Sequence, residues 1–257
     1  MKGEDIMQGV KLAELTYPEA QKWLNEEAIV MLPLGGGSKE HGRHLPMGTD
    51  MYLCQCLADE VTRRFPVVTL PTLTYEHFPA FIDWEGSIHI QADHYIKLVK
   101  DILVSFVRHG VRKFLLLDFS FSAYFPLVTV ATEMNNQYGA KVAITRTGGL
   151  GVRAKKRLME SKQDGHAGEY ETSMMLYAQP QLVHTDRYDE EYREDIPGVR
   201  VGGVQHIYVS NRMETPHGVN GNPFVATADK GRELVEDTVN DIIRFLETFQ
   251  KTPIDQY

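Results

Sequence analysis

Cysteine is almost missing from this 257-residue chain: there are two, Cys54 and Cys56. Two positions apart in a helix-like run, they point to different faces, which excludes a disulfide between them and any CxxC metal or redox motif. That usage fits a reducing, cytoplasmic setting. No window approaches the roughly 20 apolar residues of a transmembrane helix, so no membrane partner is expected. Positive charge is in deficit, with 27 Lys and Arg against 35 Asp and Glu and a net charge of -8. Without clustered basic residues there is no counter-charge for phosphates, which argues against a nucleic-acid partner. The opening Met1-Lys2-Gly3-Glu4-Asp5 carries acids and no apolar core of signal type, so export is not expected. No Ser/Pro/Gly-rich linker or internal repeat divides the chain, and residues 1–257 read as one domain.

What is present is a chain with 42% hydrophobic and 24% charged residues, enough for one sizeable core. Apolar runs at Ala28 to Leu34, Val67 to Leu70, Lys113 to Leu117 and Lys141 to Thr145 alternate with helical patterns at Met51 to Arg64, His94 to His109 and Pro126 to Tyr138. That alternation predicts βαβ units in a single-domain layered α/β fold, with a mostly parallel central sheet flanked by helices. The charged stretch Asp186 to Glu194 reads as a solvated loop. Glu14 and Glu19 read as charges on an exposed amphipathic helix.

The richest chemistry lies just past the first strong strand. Gly36-Gly37-Ser38-Lys39-Glu40-His41-Gly42-Arg43-His44-Leu45-Pro46-Met47-Gly48-Thr49-Asp50 puts two histidines and two carboxylates into a loop at a strand's carboxyl end, the edge where α/β sheets collect ligands. A metal site is one reading. The other is that Thr49 or Asp50 simply caps the following helix. A second cluster, Asp164-Gly165-His166-Ala167-Gly168-Glu169-Tyr170-Glu171-Thr172-Ser173, reads as a loop opening into a helix. With His166 in the loop and Glu171 in the first turn, both can face one cleft, and the helix amino terminus favours a carboxylate. Alone, this segment is equally a surface histidine beside a first-turn acid.

Together the two segments resemble the creatininase (creatinine amidohydrolase) family. His41-Gly42-Arg43-His44-Leu45-Pro46-Met47-Gly48-Thr49-Asp50 is similar to its HGxHLPxxTD signature, and His166 through Ser173 to its HAGxxETS signature. Weaker likeness runs through Leu12 to Thr16, Glu85 to Ile90 and Gly218 to Gly231. The resemblance implies a site with two divalent metals, zinc or manganese, that hydrolyses a non-peptide C–N bond in a small cyclic or linear amide. It implies His41 as a metal ligand, Asp50 as a bridging carboxylate, Glu171 as a further ligand and His166 as a substrate or proton-transfer residue. It also implies a homo-oligomer.

Two family positions depart from the pattern. Lys39 stands where the family has a metal-binding Glu, leaving Glu40 as the nearby acid; in an extended segment Glu40 and His41 point to opposite faces. Ser120, in Asp118-Phe119-Ser120-Phe121-Ser122, stands where the family has a metal-binding His, and a hydroxyl is a poor substitute for imidazole. Asp118 is a candidate replacement, and His77 a candidate for lining the cleft. Three readings follow: a metal-dependent amidohydrolase using His41, Asp50, Glu171 and Glu40 with His166; a silent relative that binds a metabolite or a partner subunit; and an enzyme in which Lys39 supplies a fixed positive charge in place of one metal. The pocket is expected in the loops around Tyr75 to Trp84 and Phe119 to Phe125, and the Phe-rich second loop suggests an apolar substrate or a subunit contact.

Overall fold

The computed structural model describes residues 8–193, 196–201 and 205–254. The acidic opening Met1 to Asp5 and Glu194, the last residue of the charged stretch, lie outside them. The chain runs β1 (Val10–Lys11), α1 (Tyr17–Trp23), β2 (Ile29–Leu34), α2 (Thr49–Arg64), β3 (Val67–Thr69), α3 (Ala92–Val107), β4 (Lys113–Asp118), α4 (Tyr124–Tyr138) and β5 (Lys141–Ile144). It continues through α5 (Val152–Leu158), α6 (Glu169–Ala178), β6 (Arg200–Val201), β7 (Gln205–His206), α7 (Asn211–Glu214) and α8 (Ala228–Phe249).

Five strands form one all-parallel sheet in the order β1-β3-β2-β4-β5, as the alternation predicts, and β6 pairs with β7 antiparallel apart from it. All six residues of β2 and of β4 are buried, as a parallel sheet covered on both faces requires. Side chains alternate between the layers. Ile29, Met31, Leu115 and Leu117 pack with α2, α6 and α8, whereas Val30, Leu32, Leu34, Phe114 and Leu116 pack with α3 and α4. Pro33 lacks an N–H, but β3 has already ended at Thr69; the Pro33 carbonyl accepts from Leu73 N at 2.9 Å on that side.

The topology fixes where a site can form. From β2 the chain crosses to β3 on one side, and from β4 it crosses to β5 on the other, while β2 and β4 are neighbours in register from Ile29↔Lys113 to Leu34↔Asp118. The loops 35–48 and 119–123 therefore diverge from adjacent strand ends and open a crevice at the switch point. Two local expectations are corrected. Gly48 takes the N-cap of α2, so Thr49 and Asp50 sit inside its first turn and neither caps it. Glu14 and Glu19 do not share a helix: Leu12–Glu14 is a separate 3-10 turn, and Thr16 starts α1 through a capping box with Glu19.

Candidate metal centre

At the mouth of that crevice α2 presents Asp50 from its first turn, fully buried. Its two oxygens are both engaged: Lys39 Nζ lies 2.8 Å from Oδ2, and His41 Nε2 lies 2.8 Å from Oδ1. Burial alone would raise the Asp50 pKa, but the Lys39 ammonium and His41 hold the carboxyl well below the usual range. Burial likewise opposes the charge on Lys39 and His41, yet the facing acids, Asp50 foremost and Glu171 with it, raise both. The Lys39 ammonium also sits 4.7 Å from the centre of the Phe81 ring.

The second cluster arrives through an irregular loop. Ala167 is fully buried with φ 48°, the only non-glycine among the described residues with a positive φ. A left-handed residue costs about 1–2 kcal/mol, and it is held here from both sides. Gly165 N donates to Asn220 O at 2.8 Å and Asn220 N to His166 O at 2.7 Å, while Ala167 N donates to Glu171 Oε2 at 2.6 Å. The turn places His166 before α6 and Glu171 in its first turn, as the sequence predicts. Glu169, buried, anchors the same turn by accepting from Glu160 N and Ser161 N at 2.8 and 2.7 Å and pairing with Lys230 at 2.6 Å.

The two clusters meet. The rings of His41 and His166 lie 4.7 Å apart. His41, His166 and Glu171 each offer a ligand atom within 4.8 Å of the others, the one such group of three among the described residues. Each imidazole has one nitrogen on an outer partner: His41 Nδ1 is 3.0 Å from Lys39 O, and His166 Nε2 is 3.1 Å from Glu40 Oε2. For His166 such an outer bond leaves Nδ1 turned to the cluster, whereas His41 Nε2 already lies on Asp50 Oδ1. His166 Nδ1 then faces Glu171 Oε2 at 3.9 Å.

Of the remaining sequence candidates, Glu40 does not point away from His41. The segment is irregular and turns at Gly42 (φ 68°), so Glu40 reaches His166 on the side of the His41 ring. Gly42 N donates to Glu40 Oε1. A Cβ at Gly218 would run into that carboxylate, which explains a glycine there. Burial raises the Glu40 pKa but the nearby His166 lowers it further, leaving it below its ordinary value. Asp118 accepts from Ser120 N at 2.9 Å, burial together with Glu76 pushes its pKa far up, and it lies outside the group of three. Ser120 is buried beside it. His77 is not brought to the cavity: its Nδ1 lies 3.1 Å from Ile90 O and its ring packs against His89. His44 is buried with Nε2 2.9 Å from Thr172 Oγ1, and burial drives its pKa down to about 4.

Sequence reasoning missed Glu76. It is fully buried, and its Oε1 accepts from the Tyr95 hydroxyl at 3.3 Å. Burial, then Asp50, pushes its pKa up to about 8. The signal was available: Glu76 and His77 are neighbours in an extended segment, so only one turns inward, and it is the carboxyl. Phe81, from the expected pocket loop Tyr75 to Trp84, does reach the site. With Lys39, Phe119, Phe121, His166 and Glu171 it lines a cavity of about 320 Å³. A second compartment of about 240 Å³ adjoins it through Phe119, Phe121, Gly165 and Glu171, and holds Lys155, Asp164 and Tyr170. Burial there lowers Lys155 to about 8 and raises Asp164 to about 7.

A family model described as creatinine amidohydrolase matches residues 13–246. The chain is 30% identical to the mycofactocin precursor peptide peptidase of Mycobacterium tuberculosis over 240 residues, covering 87% of this chain and 86% of that protein. It is 24% identical to the creatinine amidohydrolase of Pseudomonas putida, covering 92% and 96%. Among solved structures, a manganese creatininase superposes with a TM-score of 0.75 at 21% identity, covering 95% of this chain and all of that one. A mutant creatininase of Zn-Zn type gives 0.74 at 21% identity, covering 96% and 100%.

Proposed function

The chain belongs to the creatininase family, whose named members are hydrolases, and we propose that it hydrolyses an amide C–N bond at the crevice between β2 and β4 with the help of a divalent metal. The observation that carries this reading is the buried meeting of His41, His166 and Glu171 within 4.8 Å. Two imidazoles and a carboxylate are donors suited to Zn2+ or Mn2+; the outer bond to Glu40 turns His166 Nδ1 towards Glu171, and His41 Nε2, which lies on Asp50 Oδ1, is the nitrogen that would turn to an ion. These residues fit one ion. When bound, it supplies a water of lowered pKa and polarises the carbonyl to be attacked.

The rest of the chemistry belongs to the chain. Asp50 orients His41 and neutralises Lys39; Glu40 sets the His166 tautomer; Phe81, Phe119 and Phe121 exclude water and take an apolar part of the substrate. A cavity of about 320 Å³ with an annex of about 240 Å³ accepts a small cyclic or linear amide. The kinship with a precursor-peptide peptidase adds a peptide as a second substrate class. The protein is proposed to act as a homo-oligomer.

The test is metal content and amide turnover of the wild-type chain beside His166→Ala. Joint loss of metal and turnover in the variant supports the assigned donor set. Retained metal with lost turnover returns His166 to the proton-transfer role that the family resemblance implies. A wild-type chain that takes up no metal removes the hydrolytic reading.

A further inference from the structure

We infer that the centre holds a single divalent ion and that the Lys39 ammonium is its second cation, fixed in the fold and placed to hold an oxygen of the substrate. The inference rests on the proposed metal site and goes beyond it in the number of ions and in the role of Lys39.

The donors set the number. A carboxylate that bridges two ions through its two oxygens needs both free of other cations, and Asp50 has Oδ2 held by the Lys39 ammonium at 2.8 Å. The other buried acids near Lys39 do not assemble a second ligand set. Glu76 Oε1 faces the Tyr95 hydroxyl at 3.3 Å, and Asp118 accepts from Ser120 N at 2.9 Å. Among the described residues, His41, His166 and Glu171 make the one close group of three. A second divalent ion beside Asp50 would also meet the ammonium at short range, with little solvent to screen the repulsion.

Lys39 is placed for more than neutralising Asp50. Its backbone is pinned on both sides, since Lys39 N donates to Met47 O at 3.0 Å and Lys39 O faces His41 Nδ1 at 3.0 Å. The residue is 5% exposed, yet it lines the cavity together with His166 and Glu171. An ammonium has three N–H donors, and among the described residues this one makes a single hydrogen bond, to Asp50. Two donors remain for an acceptor entering the cavity. Negative charge developing on a carbonyl oxygen is such an acceptor, and a preorganised cation in a water-poor site is an effective partner for it.

The experiment uses the full chain stripped with chelator and titrated with Mn2+ and, separately, Zn2+ by calorimetry, with bound metal checked by elemental mass spectrometry after dialysis. One equivalent per chain is expected for the wild type, and two for Lys39→Glu, which removes the competing cation and adds a carboxylate donor. Two equivalents in the wild type overturn the inference and leave the hydrolytic reading standing, whereas none overturns both. A folded Lys39→Glu chain that still takes one shows that Lys39 is not the second cation. The wild-type stoichiometry decides the ion count even where the variant does not fold.

Discussion

Single side chains in this molecule carry charge states that their surroundings impose. His44 is enclosed, and burial holds it neutral with a pKa of about 4 against an ordinary 6.5. Above pH 6.5 the imidazole is neutral in both folded and unfolded chains and costs nothing. As pH falls from 6.5 towards 4 the unfolded chain takes a proton that the folded chain refuses, so stability is lost across that window, by up to about 3 kcal/mol. Urea melts at pH 7.5, 6.0 and 4.5 should show this decline, and His44→Gln should flatten it. Equal slopes in the two proteins would mean that other groups govern the acid limb. Glu76 shows the opposite sense, a carboxyl kept protonated by burial where its neighbours Asp50 and Asp118 already crowd the site with acids.

Between elements, α6 and α8 approach closely at Gly231, and it matters because α6 carries Glu171. Gly231 in α8 lies against the Ser173 carbonyl of α6, and a Cβ there would run into that oxygen and its carbon. Two effects compete in Gly231→Ala. Alanine favours a helix interior over glycine by about 1 kcal/mol, while forcing atoms into a packed helix contact costs about 1–3 kcal/mol or more. Since the obstacle is backbone and cannot rotate away, the packing cost wins. A net loss is expected, read as a fall in Tm of about 2–4 °C for each kcal/mol lost, with weaker metal retention because Glu171 moves with α6. An unchanged or raised Tm would show that the helices can part without cost.

For the whole molecule, some of the exposed apolar residues lie in and just after the Phe-rich loop beside the site. Phe125 is 79% exposed and Phe121 56%, and Val128 lies one turn along α4 from Phe125. This face is the assigned contact of the proposed homo-oligomer. Sedimentation at micromolar concentration should show more than one chain per particle, and Phe125→Asp should shift it towards single chains; a monomeric wild type removes the assignment. Among the described residues no helix is long and apolar enough to cross a membrane, in keeping with the missing apolar runs in the sequence.

The sequence by itself determined the layers and the edge at which chemistry gathers. Hydrophobic period distinguishes buried strand from amphipathic helix, so Ile29–Leu34, Lys113–Asp118 and the helices between them were legible to within a few residues, as was Glu171 in the first turn of α6. It also supplied the two signature segments that the family match covers. The tertiary structure alone decided which charges meet. Lys39 on Asp50, Glu40 on His166 and Glu76 rather than His77 turned inward depend on backbone turns at Gly42 and Ala167 and on contacts between residues far apart in the chain. Period along a sequence encodes which face of an element is buried, but charge pairing depends on distances across space, and a one-residue turn in a loop is enough to reverse it.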